Sequence, residues 1–353
     1  MKKLVAIFFV FAFAIWTLGG WSSVSAAEKA IKWRLQSSHD AGTERYPIFK
    51  KWLEDVKKAS GGRLDIALFP PGGIVKPFDS FEAVSKGVME AHQSYPAYWR
   101  GIDPAMSLFC NVPFGLGGAD YLNWYYGFGG LDIMRKAYAK YNIHVVGVFG
   151  FGTELHYFKT PINSLSDFKG KKARYSSTAA DLMKELGVAV VMLPGGEVYT
   201  ALATGAIDGT DFGDLKTNFD LGFHEITKYI IAPGFHEPVS MGEICVNMGA
   251  WKKMPDDLKT LLEMSVKAMA VDINARMEVT SAQALLKFKE KGMTITRLPE
   301  EDLAKIQAVA SKLEEEKWSK TPLGKEVLDS LRKYRELTGP MNKILRMGDG
   351  FSK

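Results

Sequence analysis

The sequence predicts an α/β protein with mainly parallel sheets, arranged as two units. Three observations lead there. Strand-like and helix-like runs alternate through most of the chain. The 353 residues exceed what a single core usually serves. A helical pattern continues from Pro255 to Gly292 with few breakers, long enough to reach across two lobes.

The elements follow in order. "IKWRLQ" (31–36) alternates apolar and polar residues, as a half-buried strand does. Phe49, Trp52, Leu53 and Val56 share one helical face, and Gly61-Gly62 ends that helix. "RLDIALF" reads as a second strand, and Phe81, Val84 and Val88 mark a further helix. "NIHVVGVFGF" (142–151) is an unbroken apolar run of the kind shown by buried parallel strands. "KGKKARY" gives a short strand, followed by a helix through Leu182 and Leu186 that stops at Gly187. "VAVVML" is the next strand, a helix covers Val198–Ala203, and "AIDG" is again a strand. After the long helix come "MTITRLP" and two polar amphipathic helices.

The N-terminus predicts export. Lys2 and Lys3 precede the apolar "LVAIFFVFAFAIWTLGGW", and small residues at Val24, Ala26 and Ala27 offer a cleavage site after Ala26. Losing that segment lowers the net charge from +5 to +3, too little for a nucleic-acid footprint. Cys110 and Cys245 each sit in an apolar run, and separate buried thiols or a disulfide both fit.

Familiar catalytic signatures are missing. The chain has no G-x-x-x-x-G-K, H-E-x-x-H, C-x-x-C or G-x-S-x-G, and its glycine clusters do not form a dinucleotide fingerprint. What remains suits binding. Arg174 ends a strand and precedes "YSST", where a guanidinium and nearby helix N–H groups suit bidentate capture of a carboxylate; a surface arginine is the plain alternative. Tyr95, Tyr98 and Trp99 in "SYPAYWRG" either wall a ligand pocket or fill core. Asp208, Asp211 and Asp214 crowd the end of "LPGGEVYTALATGAIDGTDFGD".

The arrangement "LKG…ARY…KELG…LPGGEVYTALATGAIDGTDF" resembles the substrate-binding proteins of TRAP transporters (the DctP type), and "LPGGE" resembles the subgroup for 2-oxo or 2-hydroxy monocarboxylates. The likeness runs from "SHDAGT" through the C-terminal helices. It implies a two-lobed periplasmic-binding-protein-like α/β fold with a long helix spanning both lobes. The lobes would comprise 27–149 with 238–280, and 150–237 with 281–320, after a signal peptide at 1–26 and before a helical segment at 321–353. The implied role is a periplasmic binding component, not an enzyme, that delivers a small organic carboxylate to a TRAP-type membrane permease.

By the same resemblance, Arg174 holds the substrate carboxylate. A cation bridges substrate and protein through Asp211, the Phe212 carbonyl and Glu237. The subgroup often has glutamine where this chain has Thr153, beside Glu154, and either can take its contact. Asp211, Glu237 and a carboxylate substrate outweigh Arg174 by two negative charges. This favours Ca²⁺ over Na⁺ in a dry cleft. The segment "TPLGKEVLDSLRKYRELTG" reads as an amphipathic helix able to exchange between copies, so a homodimer is possible. Competing readings are a sensory solute receptor and a secreted metal-dependent hydrolase with Glu237 as base.

Overall fold

The computed structural model describes residues 29–345; the export signal read at 1–26 lies outside them. Among the described residues the strands, in chain order, are β1 (Ile31–Ser37), β2 (Leu64–Phe69), β3 (Ala91–Ser94), β4 (Ile143–Phe151), β5 (His156–Phe158), β6 (Lys172–Arg174), β7 (Ala189–Val191), β8 (Gly209–Asp211), β9 (Tyr229–Ala232), β10 (Ser240–Asn247) and β11 (Thr294–Arg297). They form two sheets, ordered β2-β1-β3-β10-β4 and β11-β9-β5-β8-β6-β7. Each sheet anchors one lobe.

Both sheets are mixed. In the first, β1 runs parallel to β2 and β3, while β10 runs antiparallel to β3 and β4. In the second, β5 lies antiparallel between β8 and β9. The unbroken apolar run of β4 therefore has a different cause from the one its composition suggests. It is an edge strand paired antiparallel to β10, and it is buried because the Gly118–Gly127, Gly130–Ala139 and Asp256–Glu290 helices pack on it. The strand expected at "AIDG" begins one turn later, at Gly209.

The chain crosses between lobes at four places among the described residues: from β4 to β5, from β9 to β10, along the long helix, and into the C-terminal helix. That helix holds 35 residues, about 50 Å at the α-helical rise. Leu258, Leu262, Val266, Met269 and Ile273 seat its first half in the first lobe's core. Phe288 enters a separate cluster with Tyr157, Val198 and Phe223 in the second. The first two crossings lie side by side. Glu154 N–H donates to the Glu237 carbonyl at 3.1 Å, and Gly234 passes so close that a Cβ there would stand 2.2 Å from the Glu154 carbonyl oxygen. Only glycine fits that approach.

The C-terminal helix, Pro322–Leu345, returns to the first lobe. Val327, Leu328, Leu331 and Tyr334 are buried, and Trp124 Nε1 donates to Ser330 Oγ at 3.0 Å. Leu337, Met341 and Ile344, one helical stripe further on, stay exposed. Cys110 and Cys245 are separate free thiols, both buried. No helix among the described residues is long and apolar enough to cross a membrane.

Candidate functional site: a carboxylate cluster at the lobe seam

The site grows out of the second sheet. β6 and β8 run parallel with Arg174 opposite Thr210, so Arg174 and Asp211 finish their strands side by side. Carboxyl ends of parallel strands are where α/β folds gather ligands. Arg174 Nη1 donates to Asp211 Oδ1 at 2.8 Å and to the Asp211 carbonyl at 3.0 Å, and Nε donates to the Leu193 carbonyl at 3.3 Å. Both side chains are buried, at 2% and 0% exposure. Two of the guanidinium's three nitrogens are thus spent within the protein. Nη2 is the nitrogen that makes no hydrogen bond within the protein among the described residues.

The crossing segments bring two further carboxylates. Glu154, Asp211 and Glu237 each place a carboxylate oxygen so that all lie within 4.8 Å of one another, and all three residues are buried. Asp211 Oδ2 and Glu237 Oε2 form no hydrogen bond among the described residues. Burial raises the Asp211 carboxyl above its usual range, partly offset by Arg174. Burial, then the Asp211 charge, raises Glu154; burial, then Glu154 and Asp211, raises Glu237 well above its ordinary value. Three clustered carboxylates, two of them with a buried oxygen lacking a partner, fit a Ca²⁺ or Na⁺ ion, which such oxygen ligands bind. His236 Nε2 stands 3.5 Å from Asp211 Oδ2, and burial pushes this imidazole down to about 3, so it stays neutral.

A cavity of about 20 Å³ remains beside the cluster. Its wall includes Tyr98, Glu154, Arg174, Phe212 and Glu237, and also Arg45, Tyr95 and Ser176. Asp211 sits behind Arg174, and the Phe212 ring centroid is 5.2 Å from the Arg174 guanidinium carbon. Thr153 and Trp99 are not brought here. Thr153 is exposed and donates to the Pro238 carbonyl at 2.9 Å, which ties the two crossing segments together. Trp99 Nε1 donates to Glu243 Oε1 at 2.6 Å, inside a buried knot with Tyr138 and His92 in the first lobe.

Sequence reasoning gave Arg45 no role, and placed Asp214 only as one of three crowded acids. Asp214 caps the Leu215–Asp220 helix through Thr217 N–H at 2.7 Å and accepts from Arg45 Nη2, also at 2.7 Å. Nothing in "GTERYP" marks Arg45 as buried. A larger groove of about 710 Å³ lies between the Arg45–Ala59 and Asp256–Glu290 helices. Its charges, Lys51 with Asp55 and Arg276 with Asp272, are already paired at the surface, and the chemistry lies at the seam instead.

Two α/β lobes joined by crossing segments, with a small charged cavity at their seam, define a solute-receptor architecture of the kind that clasps its ligand. The family model of the bacterial extracellular solute-binding proteins, family 7, matches residues 36–321, and the chain belongs to that family. A monocarboxylate 2-oxoacid-binding periplasmic protein of Nostoc sp. is 27% identical over 324 residues, covering 92% of this chain and 89% of that protein. Two solved TRAP periplasmic solute-binding proteins share the fold at a TM-score of 0.85. The one from Colwellia psychrerythraea, with bound calcium and pyruvate, is 28% identical and covers 90% of this chain and 98% of its own. The one from Pseudoalteromonas atlantica, with bound sodium and pyruvate, is 26% identical and covers 90% and 97%.

Proposed function

We propose that this chain is the periplasmic receptor of a TRAP-type transporter, a binding component rather than an enzyme, for small 2-oxo or 2-hydroxy monocarboxylates. It binds the acid together with a cation and passes it to the membrane permease subunits. The observation that carries this reading is the buried trio Glu154, Asp211 and Glu237, with two orphan oxygens, beside Arg174 on the cavity. The relatives that bind pyruvate with calcium or sodium support it.

Asp211, Glu237 and the Phe212 carbonyl would hold the cation, with Glu154 as the further oxygen donor. Arg174 and Tyr98 would meet the acid. Around the seam four carboxylates, Glu154, Asp211, Asp214 and Glu237, face two guanidinia, Arg45 and Arg174. With the ligand carboxylate added, negative groups exceed positive ones by three, which is costly to bury; a divalent ion offsets more of this than a monovalent one, so Ca²⁺ is favoured over Na⁺. The cation would supply a positive centre for the 2-oxo or 2-hydroxy oxygen. Through Leu337, Met341 and Ile344 two copies can pair, and we include a homodimer in this reading.

Isothermal titration of the purified chain with pyruvate and lactate, in calcium, in sodium and after chelation, tests the proposal. Binding that weakens on chelation is expected. No heat with either acid in either cation would overturn it.

A further inference from the structure

A second buried arginine reaches the cavity from the opposite lobe. Arg45 opens the Arg45–Ala59 helix of the first lobe and is 2% exposed. Its guanidinium lies 3.6 Å over the Phe151 ring. Nη1 donates to Tyr95 Oη at 2.8 Å, and Nη2 crosses the seam to Asp214 Oδ2 at 2.7 Å. Nε is buried and has no hydrogen-bond partner among the described residues. A buried guanidinium N–H without an acceptor is costly unless something else supplies one. Arg45 lines the cavity, so a ligand oxygen is within reach of the side chain that needs it.

Arg174 is short of donors in a complementary way. Both Nη1 protons go to Asp211 and Nε goes to Leu193, which leaves Nη2 as the nitrogen without a partner among the described residues. A fork-to-fork grip on a carboxylate needs two parallel N–H groups from different nitrogens. Arg174 alone cannot provide it in this arrangement.

We propose that the ligand carboxylate is held between the two arginines, one from each lobe, with Arg174 Nη2 on one oxygen and Arg45 Nε on the other. This rests on the carboxylate reading above and adds a residue to it. Neither lobe then carries a complete anion site. The acid gains its second charge-assisted hydrogen bond only when the lobes meet, which is the differential contact that makes a ligand drive closure. Asp214 fixes Arg45 from across the seam, so the same side chain senses closure and ligand.

The test compares a carboxylate with its neutral isostere. Calorimetry in calcium measures pyruvate and pyruvamide with the parent protein, Arg45→Lys and Arg45→Gln, and thermal melts verify the fold. Arg45→Lys keeps a cation opposite Asp214 and removes Nε, so it remains informative where Arg45→Gln fails to fold. The preference for acid over amide should fall about tenfold in Arg45→Lys, the scale of one charge-assisted hydrogen bond. A side chain that serves closure alone would weaken both ligands alike. An Arg45→Lys preference within about twofold of the parent's therefore overturns the proposal while leaving the receptor reading intact. A parent protein that binds neither pyruvate nor lactate overturns both.

Discussion

Replacing Arg174 with alanine perturbs the site where its charge is least exchangeable. On the proposed reading the ligand would lose a charge-assisted hydrogen bond in a buried setting, about 1.5–3 kcal/mol. Asp211 loses a counter-charge held at 2.8 Å with both groups out of water. Breaking such a pair costs about 3–5 kcal/mol when the survivor stays charged. Here the survivor has an escape: burial already raises the Asp211 carboxyl, and without Arg174 it takes up a proton. Part of the penalty is thereby removed from the fold, and the proton competes with the cation that Asp211 would bind. Affinity for the acid should therefore fall by about 2–4 kcal/mol, roughly 30- to 700-fold in Kd. Arg174→Lys keeps the charge but not the planar donors, and should fall between. Titration calorimetry in calcium measures the loss, with thermal melts confirming a folded variant. An Arg174→Ala protein that binds pyruvate within about threefold of the parent would remove Arg174 from the anion site.

Asp211→Asn should weaken acid binding and flatten its dependence on added calcium together; a variant that loses only thermal stability would make Asp211 structural. Gly234→Ala places a Cβ 2.2 Å from the Glu154 carbonyl oxygen, so it should lower both the melting temperature and ligand affinity by distorting the paired crossings. An alanine variant matching the parent in both would refute that packing constraint. Acid should also loosen the contact between the Ser177–Glu185 helix and Trp318. Asp181 accepts from Arg100 at 2.7 Å and Trp318 at 3.0 Å and pairs with Lys317 at 3.0 Å, and although burial pushes its carboxyl upward, these partners hold it below its ordinary value. A depressed folded-state value stabilises above the unfolded one and is lost as pH falls through the folded value. The gap in melting temperature between parent and Asp181→Asn should therefore shrink below about pH 4. Parallel curves down to pH 3 would contradict it.

The fold was legible where one element decides its own fate. Phe49, Trp52, Leu53 and Val56 share a helical face whatever lies opposite, and all four are buried. The 35-residue helix announced itself by the absence of breakers. Strand direction was not legible in the same way. An apolar run such as β4 records only that both faces are covered, and an antiparallel edge strand under three helices meets that condition as well as a central parallel one. β3, β5 and β9 were not read: three or four residues are too brief for alternation to show, and unlike β6, β7 and β11 they do not lie in a longer apolar or glycine-bounded run.

The site divides along a similar line. Asp211 drew notice as one of three crowded acids, and Arg174 as a cation closing a strand, because both are ends of visible elements. Arg45 and Asp214 stand 169 positions apart and meet at 2.7 Å only because the long helix and the two crossings bring the lobes together. No local pattern encodes such a pair. The same separation explains how the molecule would act. Four carboxylates and two guanidinia drawn from both lobes and the segments between them make a seam with an excess of acidic groups, which on the proposed reading a cation would offset. With a cation in place the excess would be reduced, and a small anion would meet the two arginine N–H groups that the protein leaves without acceptors. Cation and acid would each strengthen the other's binding, so the closed state should be reached fully only with both present.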